Sequence, residues 1–206
     1  MTAYIGSAVS GAVLYGVVQR FIGPRLPIQG HTCLIEQLLF GFLAAIIMAL
    51  TPLWTSSWLG YIWASTVLAI TILVIMTDMN CFWIPDEAVL LLIWVNGIAY
   101  WYGLSKPDLY ACILVISFFL LLYIAIPGSI GSGDVKLAIA LCLGCTAKTA
   151  YAMTVIAFVL GTMAGLHAWR QHGQAVIPFG PHLLVGWWIA TILGHGWYAW
   201  LELGNI

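Results

Sequence analysis

The chain has 206 residues, of which 63% are hydrophobic and 6% charged, and its formal net charge is -1. So few charges cannot coat a water-soluble surface, and without a basic tract or a basic face interleaved with aromatics there is nothing to hold nucleic acid. Lipid is the solvent that this composition fits.

A hydrocarbon core about 30 Å thick takes roughly 20 apolar residues per helical crossing. Apolar runs broken by polar residues, Gly and Pro predict eight helices, at about 3–22, 34–53, 57–77, 87–104, 109–127, 134–146, 149–169 and 181–201. The expected fold class is all-α, a polytopic membrane protein of about eight transmembrane helices. Eight crossings use about 160 residues, which leaves connections only and one membrane-embedded domain over residues 1–206.

The first run has no basic residue before it, and Arg20 and Arg25 lie at and beyond its end, so it reads as a retained helix rather than a secretion signal. The sixth run is short and is expected to pack among other helices, where unusual backbone is tolerated at membrane depth. On the seventh, Gly161 and Gly165 form a small-xxx-small pair that predicts close approach of a neighbouring helix.

Short cytoplasmic connections collect Lys and Arg. Arg20, Arg25, Lys136 and Arg170 fall at odd-numbered connections, and Lys106 and Lys148 at even ones. The bias places the third connection, residues 78–86, and the fifth, residues 128–133, together on the cytoplasmic face. Trp54, Trp58, Trp101, Trp197 and Trp200 near one set of helix ends, and Trp83 and Trp169 near the other, fit interfacial belts.

Cys33, Cys81, Cys112, Cys142 and Cys145 are odd in number and scattered, unlike a secreted disulfide framework. Cys142 and Cys145 form a C-x-x-C, but no second pair exists to complete a zinc site, and apolar packing is the expected role. His31, His167, His172, His182 and His195 include no H-E-x-x-H array. No metal or cofactor is expected.

Five of the seven acids, Glu36, Asp78, Asp86, Glu87 and Asp134, lie at ends of apolar runs assigned to one face. Ionisable groups at membrane depth are costly and ask for a purpose. Asp78 ends the third run, and Asp134 follows Gly131-Ser132-Gly133 and opens the sixth. Two carboxylates in one dry pocket cannot both ionise cheaply, so one keeps its proton. The ionised member can then take a proton from an attacking water while the other hydrogen-bonds to the substrate carbonyl.

The glycines before Asp134 fit a backbone that comes close to an extended peptide, and equally a tight turn in which Asp134 is an N-cap. Asp86 and Glu87 read as capping and dipole compensation for the fourth helix, with a share in organising the site as the other reading. Glu36 reads as an N-terminal charge or a partner of Arg25. Lys136 either pairs with a carboxylate or reaches to the interface.

Three segments together resemble the bacterial type IV prepilin peptidase family: Asp78-Met-Asn-Cys-Phe-Trp-Ile-Pro85-Asp86, Gly131-Ser-Gly133-Asp134-Val-Lys136-Leu137, and Ile177-Pro178-Phe-Gly180-Pro181. The family's first catalytic aspartate stands eight residues before the Asp of an apolar-Pro-Asp element, which maps onto Asp78. Its second belongs to G-x-G-D-x-K-L, which maps onto Asp134. Pro178 to Pro181 match its Pro-Phe-Gly-Pro element, with His182 where an apolar or aromatic residue is common. The resemblance implies an inner-membrane aspartic endopeptidase that cleaves prepilins or pseudopilins after a glycine at the cytoplasmic face. Many bacterial members also N-methylate the product through an insert bearing two C-x-x-C pairs. Here that connection is residues 23–33 with one cysteine, so a peptidase-only enzyme is expected.

The competing readings are an ion- or proton-coupled transporter that uses Asp78 and Asp134, a relative of presenilin or signal peptide peptidase, and a structural pilus subunit. The transporter explains the acids but not the three ordered motifs. The presenilin-type enzymes share G-x-G-D but carry a later Pro-Ala-Leu element, which is absent here.

Overall fold

The computed structural model describes residues 34–53, 55, 57–173 and 176–203, together with Val13 and Gly16. Within them the chain is all-helical: α1 (Leu34–Leu50) with a 3-10 turn (Thr51–Leu53), α2 (Trp58–Cys81), α3 (Asp86–Trp101), α4 (Leu109–Ala125), α5 (Ser132–Cys142), α6 (Ala147–His172) and α7 (Gly180–Leu203). These correspond to the second to eighth predicted helices. The first, with Arg20, Arg25, His31 and Cys33, lies outside the described residues, as do the side chains of Glu36, His172 and His195.

Two helices, Trp58–Cys81 and Ala147–Gln171, are long and apolar enough to cross a membrane. The expectation of eight full crossings is not met by helix length. α1, α3 and α4 have 17, 16 and 17 residues, and 17 residues reach about 25 Å at 1.5 Å each. Polar and Pro/Gly punctuation at residues 102–107 and 127–131 ends α3 and α4 earlier than their apolar runs implied.

Side-chain caps fix several starts. Ser57 accepts the Gly60 N–H, Asp108 that of Ala111, and Thr146 that of Thr149, each satisfying a donor that the first helical turn leaves free. α3 starts differently: Pro85 is its N-cap and offers no side-chain bond, so Asp86 is the first helical residue and not a cap.

The 11-residue α5 is the centre of the bundle, packed against α3, α4 and α7. Leu137, Ala138, Ala140, Leu141 and Cys142 are fully enclosed. The short sixth helix of the sequence reading is therefore a half-length element, about 16 Å long, surrounded by longer ones. Its small residues let neighbours close in. Outward faces are apolar too: Leu90, Leu91, Trp94 and Ile98 on α3, and Ile113, Leu114, Leu121 and Ile124 on α4, are exposed. Such continuous apolar surface marks contact with lipid or partner chains.

α6 and α7 pack along each other most extensively. Their close approach is at Gly186, where an added Cβ would lie 2.8 Å from the Met153 carbonyl oxygen and 3.1 Å from the Ala157 nitrogen. Gly161 and Gly165 serve otherwise than predicted. Their open faces receive Phe179 and Ile177 of the connection before α7, rather than a neighbouring helix. Phe179 also packs on Phe158 and Phe119, with ring centroids 5.1 and 6.2 Å away, which anchors that connection to α6 and α4.

Cys112, Cys142 and Cys145 sit in this core. Cys112 Sγ donates to the Cys142 carbonyl, and Cys145 Sγ bonds to the Leu141 carbonyl and accepts from Trp187 Nε1 at 3.1 Å. A second polar knot holds α2, α3 and α5 together: Asn96 accepts from Trp63 Nε1 and donates to the Ala140 carbonyl.

Candidate active site

α2 continues one turn past Asp78, which places this aspartate inside the helix rather than after it. The helix stops at Phe82, which takes a left-handed conformation (φ 51°) with its N–H on the Asp78 carbonyl. That conformation costs a bulky residue about 1–2 kcal/mol. It reverses the chain, and Trp83-Ile84-Pro85 turns back toward the bundle with Ile84 buried.

Ile84 then stands between two motif glycines. A Cβ on Gly133 would lie 3.2 Å from Ile84 Cβ, and one on Gly180 would lie 3.1 Å from Ile84 Cδ1. Glycine at both positions lets the starts of α5 and α7 close on the segment after α2.

The aspartates are positioned by backbone amides on either side of this wedge. Asp78 is 5% exposed, and its Oδ2 accepts the Gly180 N–H at 3.0 Å. Asp134, 8% exposed, is the third residue of α5 and not its N-cap; its Oδ2 accepts the N–H of the N-cap Gly131 at 3.1 Å. This is the arm of a capping box that a glycine N-cap permits. Asp134 Oδ1 is buried and has no hydrogen-bond partner among the described residues. The two carboxylates are close enough for the charge of Asp78 to act on Asp134.

The other sequence-predicted residues surround this pair. Asp86 and Lys136 form an exposed ion pair at 2.7 Å, which resolves the alternatives left open for Lys136. The Pro178 carbonyl bonds to His182 Nδ1 at 3.0 Å. A carbonyl only accepts, so Nδ1 carries the hydrogen in this bond. Charge on His182 reaches Asp78, so the histidine belongs to the site's surroundings. Thus Asp78, Asp134, Gly131, Gly133 and Gly180 converge, Pro85 and Pro178 shape the approaching segments, and Asp86 with Lys136 ties α3 to α5 at the rim.

Sequence reasoning missed Ile84 and Phe179 as individual residues. Each was visible only as the apolar member of a short motif, and their value as a wedge and an anchor depends on glycines far away in the chain.

Chemically, the arrangement offers one buried pair of carboxylates from separate helices, each held by a backbone N–H, with one oxygen left open. That set can take a proton from water and hold another on a substrate carbonyl. No curated protein and no solved structure matches the chain. A protein-family model described as the type IV leader peptidase family matches residues 65–166, from α2 through most of α6. The matched span contains both aspartates, both glycines of the G-x-G-D element and the Asp86–Lys136 pair, and over these residues the chain matches the type IV leader peptidase family.

Proposed function

We propose that the chain is a membrane-embedded aspartic endopeptidase that removes the leader of type IV prepilins or pseudopilins, with Asp78 and Asp134 as its catalytic pair. The observation that carries this reading is the convergence of two buried carboxylates from α2 and α5, each on a glycine N–H, with Asp134 Oδ1 unpartnered. Buried carboxylate oxygens normally find partners. One left open beside a second carboxylate suits a group that must engage water or a peptide.

In the reaction, the pair shares one proton because two adjacent charges in a dry site repel strongly. The ionised aspartate takes a proton from water as the water oxygen attacks the scissile carbonyl. The protonated aspartate hydrogen-bonds to that carbonyl oxygen. Collapse of the tetrahedral intermediate breaks the C–N bond, and a proton passes to the departing amine. No metal or other cofactor takes part in these steps.

The site's place at one end of the bundle supports cleavage at a membrane face. Asp78 lies in the last turn of α2, Asp134 in the first turn of α5 and Gly180 at the start of α7, as alternating helix directions require. The basic-residue bias makes that face cytoplasmic in a multi-pass inner-membrane protein. The leader-bearing substrate presents its glycine there, next to its own hydrophobic helix. The short connection at residues 23–33 leaves no room for the two C-x-x-C pairs, so the enzyme cleaves without methylating.

Co-expression with a prepilin tests the proposal. The processed, shorter product is expected on a gel, and Asp78→Asn and Asp134→Asn should each abolish it while still accumulating in the membrane. Full processing by either variant removes that carboxylate from the mechanism. Proton uptake into vesicles without processing favours the transporter, and a methyl group added to the product by this protein contradicts the peptidase-only reading.

A further inference from the structure

The far end of the bundle carries a second polar site. α2 runs from Gly60, on the wall of a cavity of about 320 Å3, to Asp78. Those 18 helical steps of 1.5 Å put about 27 Å between the cavity and the aspartates. The cavity belongs to no step of peptide cleavage.

Its lining is hydroxyl-rich and carries positive charge. Thr55, Ser105, Lys106, Thr146, Thr149 and Thr191 line it, and among the described residues no acid does. Two helices begin at its wall, α2 after Ser57 and α6 after Thr146, so the positive ends of two helix dipoles point toward it. Lys106 adds a full charge from an exposed position at the mouth. Ser105 supplies an independent sign of a ligand. It is 7% exposed, and its Oγ is enclosed with no hydrogen-bond partner among the described residues. A buried hydroxyl without a partner is costly, and here it borders the cavity.

We propose that this cavity binds a phosphate group, with Lys106 pairing its charge and with Ser105 and the free hydrogen of the mutually bonded Thr146 and Thr149 hydroxyls donating to its oxygens. A tetrahedral anion with several acceptor oxygens suits donors that arrive from two separate segments, the 103–106 connection and the start of α6. A planar carboxylate would meet fewer of them. The volume, at the small end of ligand sites, holds a phosphate with a small organic appendage. The phosphate comes either from a phospholipid headgroup at this membrane face or from free inorganic phosphate.

The full chain in detergent micelles decides between them. Thermal unfolding is followed with inorganic phosphate titrated against chloride at equal ionic strength, and separately with phosphatidylglycerol added to the micelles. A saturable rise in Tm with phosphate assigns the site to the free ion, and a rise with the lipid alone assigns it to a headgroup. Lys106→Gln, an exposed position that folds, should weaken the response about tenfold or more, as loss of a charge-assisted bond does. Lys106→Arg should retain it, and Ser105→Ala should weaken it less than Lys106→Gln does. Leader cleavage by Lys106→Gln should match wild type. The proposal is overturned if neither probe exceeds chloride, or if Lys106→Gln responds as fully as wild type.

Discussion

The Gly180 N–H donates to Asp78 Oδ2 across 102 residues of sequence, at 3.0 Å. This bond joins the end of α2 to the start of α7, and it exists because residue 180 has no side chain. A Cβ there would fall 2.7 Å from the same carboxylate oxygen.

Gly180→Ala is therefore expected to push the Asp78 carboxylate aside by some tenths of an ångström or more, since Ile84 Cδ1 at 3.1 Å blocks the alternative direction. Displacement of about 1 Å in a catalytic group costs on the order of 100-fold in rate. Cleavage kinetics should show a fall in kcat with the protein still accumulating in the membrane. Gly97→Ala is the control. An added Cβ on that exposed α3 glycine meets nothing within 4 Å, so activity should hold.

The Asp86–Lys136 pair joins the first residue of α3 to α5, but its side chains are 64% and 51% exposed. Exposed ion pairs contribute about 0–1 kcal/mol and weaken with salt. Asp86→Asn and Lys136→Gln should each lower stability by less than about 1 kcal/mol. The double variant should cost no more than either alone, and the exchanged pair Asp86→Lys with Lys136→Asp should recover most of the loss. A loss of activity far beyond this stability change, unrepaired by the exchange, would show that one of these side chains meets the substrate.

Much of this site was legible because its residues are unusual for their surroundings. A carboxylate beside a long apolar run is conspicuous, and the spacing Asp78 to Asp86, the G-x-G-D element and Pro178 to Pro181 stand out in the sequence as three ordered motifs. The order of the second to eighth predicted helices was legible from apolar runs for the same reason. Helix ends were not. Thr77, Asp78 and Asn80 look like a polar boundary, yet Thr77 and Asn80 bond back to carbonyls of their own helix, and α2 continues through them to Cys81. The pairing of Asp86 with Lys136 and the seating of Phe179 on Gly161 were illegible because each depends on which helices are neighbours. Periodicity says that a face is apolar and not what covers it.

Asn96 illustrates the same limit and gives a stability test. In the sequence it is one polar residue in an apolar run, yet it is fully buried and bridges α2 and α5 through Trp63 and the Ala140 carbonyl. Asn96→Leu removes both bonds and leaves the Trp63 N–H to find another acceptor. Interhelical hydrogen bonds in a bilayer are each worth about 1 kcal/mol, and a stranded buried donor adds to that, so a loss of roughly 1–3 kcal/mol is expected. Thermal denaturation should register it, while cleavage per folded molecule at low temperature should stay near wild type. The pair of aspartates lies at the other end of α2 from Trp63, 15 residues or about 22 Å of helix away.

Cleavage should depend on pH with two limbs. Below the first apparent pKa of the pair both carboxylates are protonated, no base remains to take a proton from water, and the rate falls as pH drops. Above the second both are ionised, no proton remains to hold on the substrate carbonyl, and the rate falls as pH rises. The two apparent values belong to the coupled pair and not to Asp78 or Asp134 singly. The measurement is kcat/KM against pH for the wild-type chain in micelles, with a melting curve at each pH so that unfolding is not read as titration. His182 lies within electrostatic reach of Asp78 and can displace a limb without creating one. His182→Gln removes that side chain's charge, so the profile should keep both limbs in that variant. A single limb that disappears in His182→Gln would move the assignment of the base from the aspartates to the histidine.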